Sequence, residues 1–296
     1  MTIRLLSFGD KIVSGTYHAH SKFSSVTNFT CGERVISLLK NKDLKSPSNI
    51  IVQNHDIQKI NTITVAKKVI CFDNIPVEID REKIYNSTIK FPTVSRQRYL
   101  ENLHTCEKYL VSFPCPKSLA FLINDNLENE FSQGFEKLVA LKLKAGVTKI
   151  FTRDLLAGIK MIRGVGFGLT PSGNDFIAGL LIALFVLENI YHINYQQLRK
   201  KIFLLSKSDC LLSNSFLYFA SKGYFFEILK NFVLSLFYKD KKNASICLKK
   251  LLYIGSTSGC DLATGLLMTL KKHESLSAST FFRTASKIST QRELSE

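Results

Sequence analysis

A thirteen-residue segment occurs twice in this chain, and that repetition constrains the fold more than any other feature. Residues 172–184 and 258–270, offset by 86 positions, agree at seven places: Ser172/Ser258, Gly173/Gly259, Asp175/Asp261, Gly179/Gly265, Leu180/Leu266, Leu181/Leu267 and Leu184/Leu270. The shared pattern, S-G-x-D-x-x-x-G-L-L-x-x-L, reads as a helix start. A serine ahead of an x-x-Asp spacing is capping-box-like, its hydroxyl placed to accept from the third helical amide. The glycine that follows carries no side chain, so a ligand or another backbone can approach the unpaired amides of the first turn. Those amides and the positive end of the helix dipole favour carboxylate or phosphate. Gly179 and Gly265 fall where glycine costs about 1 kcal/mol against alanine, and close packing between the two helices is the expected reason.

Each copy follows a small, hydroxyl-rich approach: Gly168-Leu169-Thr170-Pro171 before the first, Gly255-Ser256-Thr257 before the second. A further run, Gly164-Val165-Gly166-Phe167-Gly168, allows backbone conformations that present several amides to one ligand. It is not a dinucleotide fingerprint, because it follows a helix and lacks the G-x-G-x-x-G spacing, and no G-x-x-x-x-G-K-[ST] exists. Two readings compete. In one, both segments are well-capped core helices whose aspartates interact favourably with the dipoles. In the other, favoured by the duplication, they share an anion or substrate site. That site comprises Gly166, Gly168, Thr170, Ser172, Gly173, Asn174, Ser256, Thr257, Ser258 and Gly259, with Asp175 and Asp261 as the candidate catalytic pair.

Around the repeat the chain divides by hydrophobic period. Short β-branched runs at 12–13, 16–17, 34–39, 50–52, 60–65 and 69–72, separated by Gly, Asn, Asp, Ser and Pro, predict an antiparallel sheet or barrel-like unit. From Ser95 the period moves toward 3.6, with helices expected over 95–111, 127–144, 152–162, 171–190, 195–206, 210–222, 225–238, 244–254 and 258–272. Thr152 is expected to cap the third of these, and Gly164 to follow its C-terminus. The fold class is therefore α+β, a β-rich unit over 1–92 followed by a mainly helical unit over 93–296 that contains the repeat. The tail beyond Ser275 is polar and weakly patterned.

Composition closes off other classes. The net charge of +16 invites a nucleic-acid reading, but 30 of the 40 basic residues are lysine, spread along the chain without a basic arm, zinc finger or helix-turn-helix signature. A lysine-rich solvated surface accounts for it, and attraction of small anions or acidic partner subunits stays open. The longest apolar run, residues 176–187, falls short of the roughly 20 residues that span a bilayer and is expected to be a buried core helix. The start of the chain has no signal-peptide pattern. Seven scattered cysteines without C-x-x-C spacing fit a reducing, cytoplasmic setting. No metal, cofactor, nucleic-acid or membrane partner is expected.

The segment 166–176 with Ala178-Gly179, together with Gly255-Ser256-Thr257-Ser258-Gly259-Cys260-Asp261 and Gly265, resembles the AllH family, a subunit of oxamate carbamoyltransferase. The match is strongest over about 150–272, with a looser fit at Asn28, Pro47 and the Ile50-Ile51-Val52 run. The resemblance implies a part in anaerobic allantoin breakdown, where oxalurate and phosphate yield oxamate and carbamoyl phosphate. It also implies two partner subunits, of the FdrA-like AllF type and the AllG type. Substrates that are a carboxylate and a phosphate suit helix-start amides, which would stabilise charge gathering on the carbamoyl oxygen. Asp175 and Asp261 would orient the carbamoyl amino group or accept protons. Asn174 stands where the family has an acidic residue, and Ser256 where histidine is common; both departures put the particular ureido acid in doubt.

Four other features read as structural. His18 and His20, two apart on a strand, face one side but have no identifiable third metal ligand. Cys260 occupies a first helical turn, a place that activates thiols, yet its repeat counterpart is Asn174. Arg153 and Arg163 flank the helix leading into the glycine run, where Arg163 could swing toward a bound carboxylate but a solvated face is expected, and Ser213, Asn214 and Ser215 could line the same cavity but are read as ordinary polar residues of a helix–helix contact.

Overall fold

The computed structural model describes residues 3–40, 44–53, 55–92, 95–131, 134–152, 154–168, 170–238 and 240–275. The α+β expectation holds: a nine-stranded curled sheet is followed by a mainly helical part. Two compact units form, one from residues up to Ile89 together with Tyr224–Lys230, the other from Lys90–Gly223 and the chain after Asn231.

In the first unit the strands are β1 (Arg4–Gly9), β2 (Gly15–Lys22), β3 (Val26–Cys31), β4 (Arg34–Leu39), β5 (Asn49–Gln53), β6 (Thr62–Val65), β7 (Val69–Phe72), β8 (Ile75–Glu78) and β9 (Ile84–Tyr85). Their order across the sheet is β8-β7-β6-β2-β3-β4-β5-β1-β9. Pairing is antiparallel except where β4 meets β5 and β1 meets β9. Alternation along the strands gathers Leu5, Phe8, Tyr17, Phe29, Ile36, Leu38, Ile50, Val52, Ile63 and Phe72 into one core. Several expectations need correction. Ile12 and Val13 lie outside any strand, and β1, β3, β8 and β9 were not anticipated. β3 is hidden in the sequence because its buried positions include Thr27 and Asn28. Both are satisfied locally: Thr27 Oγ1 donates to Ile57 O at 3.1 Å, and Ser37 Oγ donates to Asn28 Oδ1 at 2.7 Å. His18 and His20 are exposed on β2.

The segment Tyr224–Lys230, which the hydrophobic period assigns to the helical part, is held to the first unit by pairing with the β9 strand and its exit. Phe225 N donates to Ser87 O at 2.9 Å, Tyr85 Oη donates to Phe225 O at 3.0 Å, and Lys45 pairs with Glu227 at 3.1 Å.

The helices are α1 (Arg96–Ser112), α2 (Gly134–Thr152), α3 (Leu155–Ile162), α4 (Ser172–Tyr191), α5 (Gln196–Ser206), α6 (Leu211–Lys222), α7 (Glu227–Tyr238), α8 (Lys241–Leu252) and α9 (Ser258–Glu274). Ser95 caps α1 as its position suggests, accepting from Arg98 N. The helix expected over 127–144 splits: a 3-10 turn covers Asp125–Glu130, and α2 begins later and runs on through Val147 and Ile150. Thr152 is therefore the end of α2 and not a cap. Asp154 caps α3 instead, its Oδ1 accepting from Ala157 N at 3.0 Å. Gly164 takes a left-handed φ of 68° just past α3.

α4 is the one described helix long and apolar enough to cross a membrane, but it is mostly buried inside its own unit. It packs along α9, and the contact is reciprocal. A Cβ on Gly179 would stand 2.1 Å from Leu262 O, and one on Gly265 would stand 2.1 Å from Phe176 O. Leu262 is the repeat counterpart of Phe176, so the two copies meet through the same surface, each glycine receiving the other helix's backbone. The crossing expected at these glycines is present.

Candidate functional site

The crossing of α4 and α9 places their first turns side by side and faces each aspartate toward the other copy's serine. Thr170 Oγ1 donates to Asp175 Oδ2 at 2.9 Å and lies 3.1 Å from Ser258 Oγ. Ser258 also lies against Asp175, and Ser172 and Thr257 against Asp261, each hydroxyl favouring the charged carboxylate. The pattern is crossed: the serine of one copy serves the aspartate of the other. It replaces the expected capping box. Ser172 and Ser258 are the first helical residues, and the N-cap positions, Pro171 and Thr257, make no side-chain cap bond. The hydroxyls of Ser172 and Ser258 face the other copy's aspartate instead.

Both carboxyls are buried, Asp175 at 2% exposure and Asp261 at 0%. Asp261 Oδ1 accepts from Leu119 N at 2.6 Å, an amide delivered by a 3-10 turn over Leu119–Leu122. Asp261 Oδ2 has no hydrogen-bond partner among the described residues. Burial pushes Asp175 well above the usual carboxylate range, and the neighbouring charge of Asp261 pushes it further, against the Ser258 and Thr170 hydroxyls. Burial raises Asp261 to about 7, opposed by the Leu119 amide and the hydroxyls of Ser172 and Thr257. Both shifts favour the protonated, neutral carboxyl.

The glycines after the serines serve backbone packing. A Cβ on Gly173 would lie 2.0 Å from Ile162 O, and one on Gly259 2.0 Å from Leu251 O. The expected anion-binding amides are already engaged at three positions: Gly173 N donates to Val165 O at 2.8 Å, Asn174 N to Pro171 O at 2.8 Å, and Gly259 N to Ile254 O at 2.9 Å. The side chains, rather than these amides, carry the chemistry that remains.

Asn174 ties the glycine run to the site. Its Oδ1 accepts from Gly164 N at 2.7 Å and its Nδ2 donates to Ser213 Oγ at 2.7 Å. Gly166 (φ 133°) abuts Ser172, where a Cβ would stand 2.3 Å from Ser172 N; Gly168 also has positive φ, 89°. Residues 164–168 thus form a strap beside α4 with positive φ at its three glycines, Gly164, Gly166 and Gly168. Leu169 and Arg153 lie outside the described residues. Arg163 is exposed and donates to Leu205 O. Ser256 has an exposed side chain and contributes its carbonyl to Cys115 Sγ at 3.9 Å.

Sequence reasoning missed Leu119 and Cys115, and left Ser213 out of the site. Leu119 acts through its amide, which leaves no mark in a residue pattern. The contact with Cys115, and after it burial, raises the Cys260 thiol, so the first turn does not activate it. Ser213 was visible as a small polar residue in a helix, but nothing in its spacing linked it to Asn174.

Residues 162–270 match the family model described as oxamate carbamoyltransferase subunit AllH. The matched stretch runs from the end of α3 through α9 and contains the glycine strap and both copies of the repeat, so the resemblance drawn from those motifs is borne out there. The family description is that of one subunit of a multi-subunit enzyme. No solved structure matches the chain.

Proposed function

We propose that this chain, with an AllH match spanning its entire repeat, is a subunit of an oxamate carbamoyltransferase assembly in the cytoplasm, and that the crossed Asp175–Asp261 pair is its proton-handling centre. The single observation that carries the reading is that pair: two buried carboxyls at two helix starts, one with an oxygen that has no hydrogen-bond partner among the described residues, both raised by burial toward the neutral form. Phosphorolysis of oxalurate needs such a device. A phosphate oxygen attacks the carbamoyl carbon, the bond to the oxamate nitrogen breaks, and that nitrogen takes a proton as it leaves. A neutral carboxyl supplies it, and the proton lost from hydrogen phosphate restores the pair, giving oxamate and carbamoyl phosphate. The hydroxyls of Thr170, Ser172, Thr257 and Ser258 orient the carbamoyl group, and the glycine strap 164–168 is the element that must move to admit substrate, since both aspartates are enclosed. AllF-type (FdrA-like) and AllG-type chains are the partners in this reading.

A second reading rests on a specific observation. Closed carboxyls and helix-start amides already bonded to carbonyls suit a non-catalytic scaffold or regulatory subunit of the same assembly, whose chemistry lies in a partner. The departures at Asn174 and Ser256 also fit a carbamoyltransferase for another ureido acid. One experiment separates these. The chain is co-expressed with the two partner types, the complex is purified, and carbamoyl phosphate formed from oxalurate and phosphate is measured with and without it. Asp175→Asn with Asp261→Asn is expected to leave the complex intact and lower turnover at least a hundredfold. Unchanged turnover in the intact double variant refutes the proton-handling role and leaves the scaffold.

A further inference from the structure

α2 is apolar on two faces. Val139, Ala140, Leu143, Gly146, Val147 and Ile150 form its buried stripe. On the opposite side Phe135, Leu138 and Leu141 stand 72%, 65% and 47% exposed, with Ala145 continuing the line. Helical spacing aligns these four on one surface. Phe167 of the glycine strap extends it, its ring edge-on to Phe135 at 6.2 Å between centroids. An amphipathic helix of a self-sufficient unit turns polar side chains outward, so a contiguous apolar outer face marks an interaction surface.

The charge around this face is net basic. Its acids are paired, Glu136 with Lys117 at 2.7 Å and Glu128 and Asp125 with Lys144. Lys137, Lys142 and Lys149 of the same helix form no ion pair among the described residues. At the edge of the face an open cavity of about 400 Å³, lined by Phe131, Ala140 and Leu141 with Lys137, Asp125 and Glu128, has room for a side-chain anchor.

We propose that the outer face of α2, continued by Phe167, docks a different protein chain that presents an apolar patch rimmed by carboxylates, a partner subunit of the assembly inferred above. A second copy of this chain is disfavoured by charge, since it would bring another +16 and the same three lysines against these. The contact reaches Phe167, so a docked partner bears directly on the strap beside Ser172 and Asn174 and couples assembly to the aspartate site.

This inference rests on the carbamoyltransferase reading for the identity of the partner, and the test keeps the two apart. The full chain is tagged and co-expressed with the AllF-type and AllG-type chains, and the complex is quantified along with its activity. Four forms are compared: wild type, Phe135→Ser with Leu138→Glu, Lys142→Glu with Lys149→Glu, and Asp175→Asn. Circular dichroism and thermal unfolding confirm folding of the surface variants. The expected result is at least tenfold weaker assembly for the apolar variant, several-fold weaker assembly with reduced salt sensitivity for the charge variant, and normal assembly without turnover for Asp175→Asn. Wild-type assembly by the folded apolar variant overturns the docking site and leaves the functional reading standing. Assembly that needs Leu138 but yields no carbamoyl phosphate supports the docking site and overturns the activity. Failure of the wild-type chain to bind either partner overturns the proposed occupant. Self-association of the chain alone, or its binding to phosphatidylserine vesicles, overturns it likewise when lost in the apolar variant.

Discussion

Asp261 sits at 0% exposure with its folded titration near 7, against about 4 for an unfolded aspartate. Between those values the folded chain keeps a proton that the unfolded chain has released. Stability from this group therefore falls as pH rises from about 4 to about 7 and levels off above, and the raised Asp175 acts in the same direction. Asp261→Asn removes that slope. Denaturant titrations of wild type and variant between pH 5 and 8 should converge toward acid and separate toward neutrality, by an amount on the order of 3 kcal/mol across that range. Equal pH profiles would mean that Asp261 is not held protonated. Asn174 offers a second test, because Gly164 N and Ser213 Oγ both depend on its amide. Asn174→Ala should cost about 1–3 kcal/mol in the same titrations. The identities and repeat relation of the two aspartates were legible in the sequence. Their crossed partners were not, because a serine three residues before an aspartate is equally suited to capping its own helix or serving another.

The α4–α9 pair illustrates what a pattern conveys about an element. Glycines eight residues into each helix, Gly179 and Gly265 in their shared context, predicted a close crossing, and the backbone oxygens of Leu262 and Phe176 occupy the space that side chains would fill. Those oxygens belong to rigid helices, so Gly179→Ala forces the axes apart and should lower stability by about 3 kcal/mol, with Gly265→Ala similar and the double variant less than additive, as thermal unfolding can show. Gly173 and Gly259 carried the opposite lesson. Their lack of a side chain suggested ligand access, yet carbonyls of the preceding turns fill the space. In each case a glycine signals close approach; its sequence does not say by what. α2 was displaced by several residues in the sequence reading because its outer leucines and Phe135 blur the period that its buried stripe sets.

Across the whole molecule, helix-rich and strand-rich regions were separable by period, whereas β1, β3, β8 and β9 and the attachment of Tyr224–Lys230 to the sheet unit were not, since these depend on long-range pairing. None of the seven cysteines forms a disulfide among the described residues; four are buried (Cys106, Cys115, Cys247, Cys260) and three half-exposed (Cys31, Cys71, Cys210). Thiol titration should accordingly find three that react readily in the native chain and four more on unfolding; early loss of Cys115 or Cys260 would contradict the packed first turn of α9. The meeting of α4 and α9 through matching surfaces has one further consequence. Such self-complementary contact is the geometry of a two-fold dimer, realised between two stretches of one chain. In a true dimer every substitution appears on both sides of the axis at once. Covalent linkage lifts that restriction, so one side of this pseudo-axis carries an amide that tethers the glycine strap and the other a buried thiol, an asymmetry that paired identical subunits are unable to evolve.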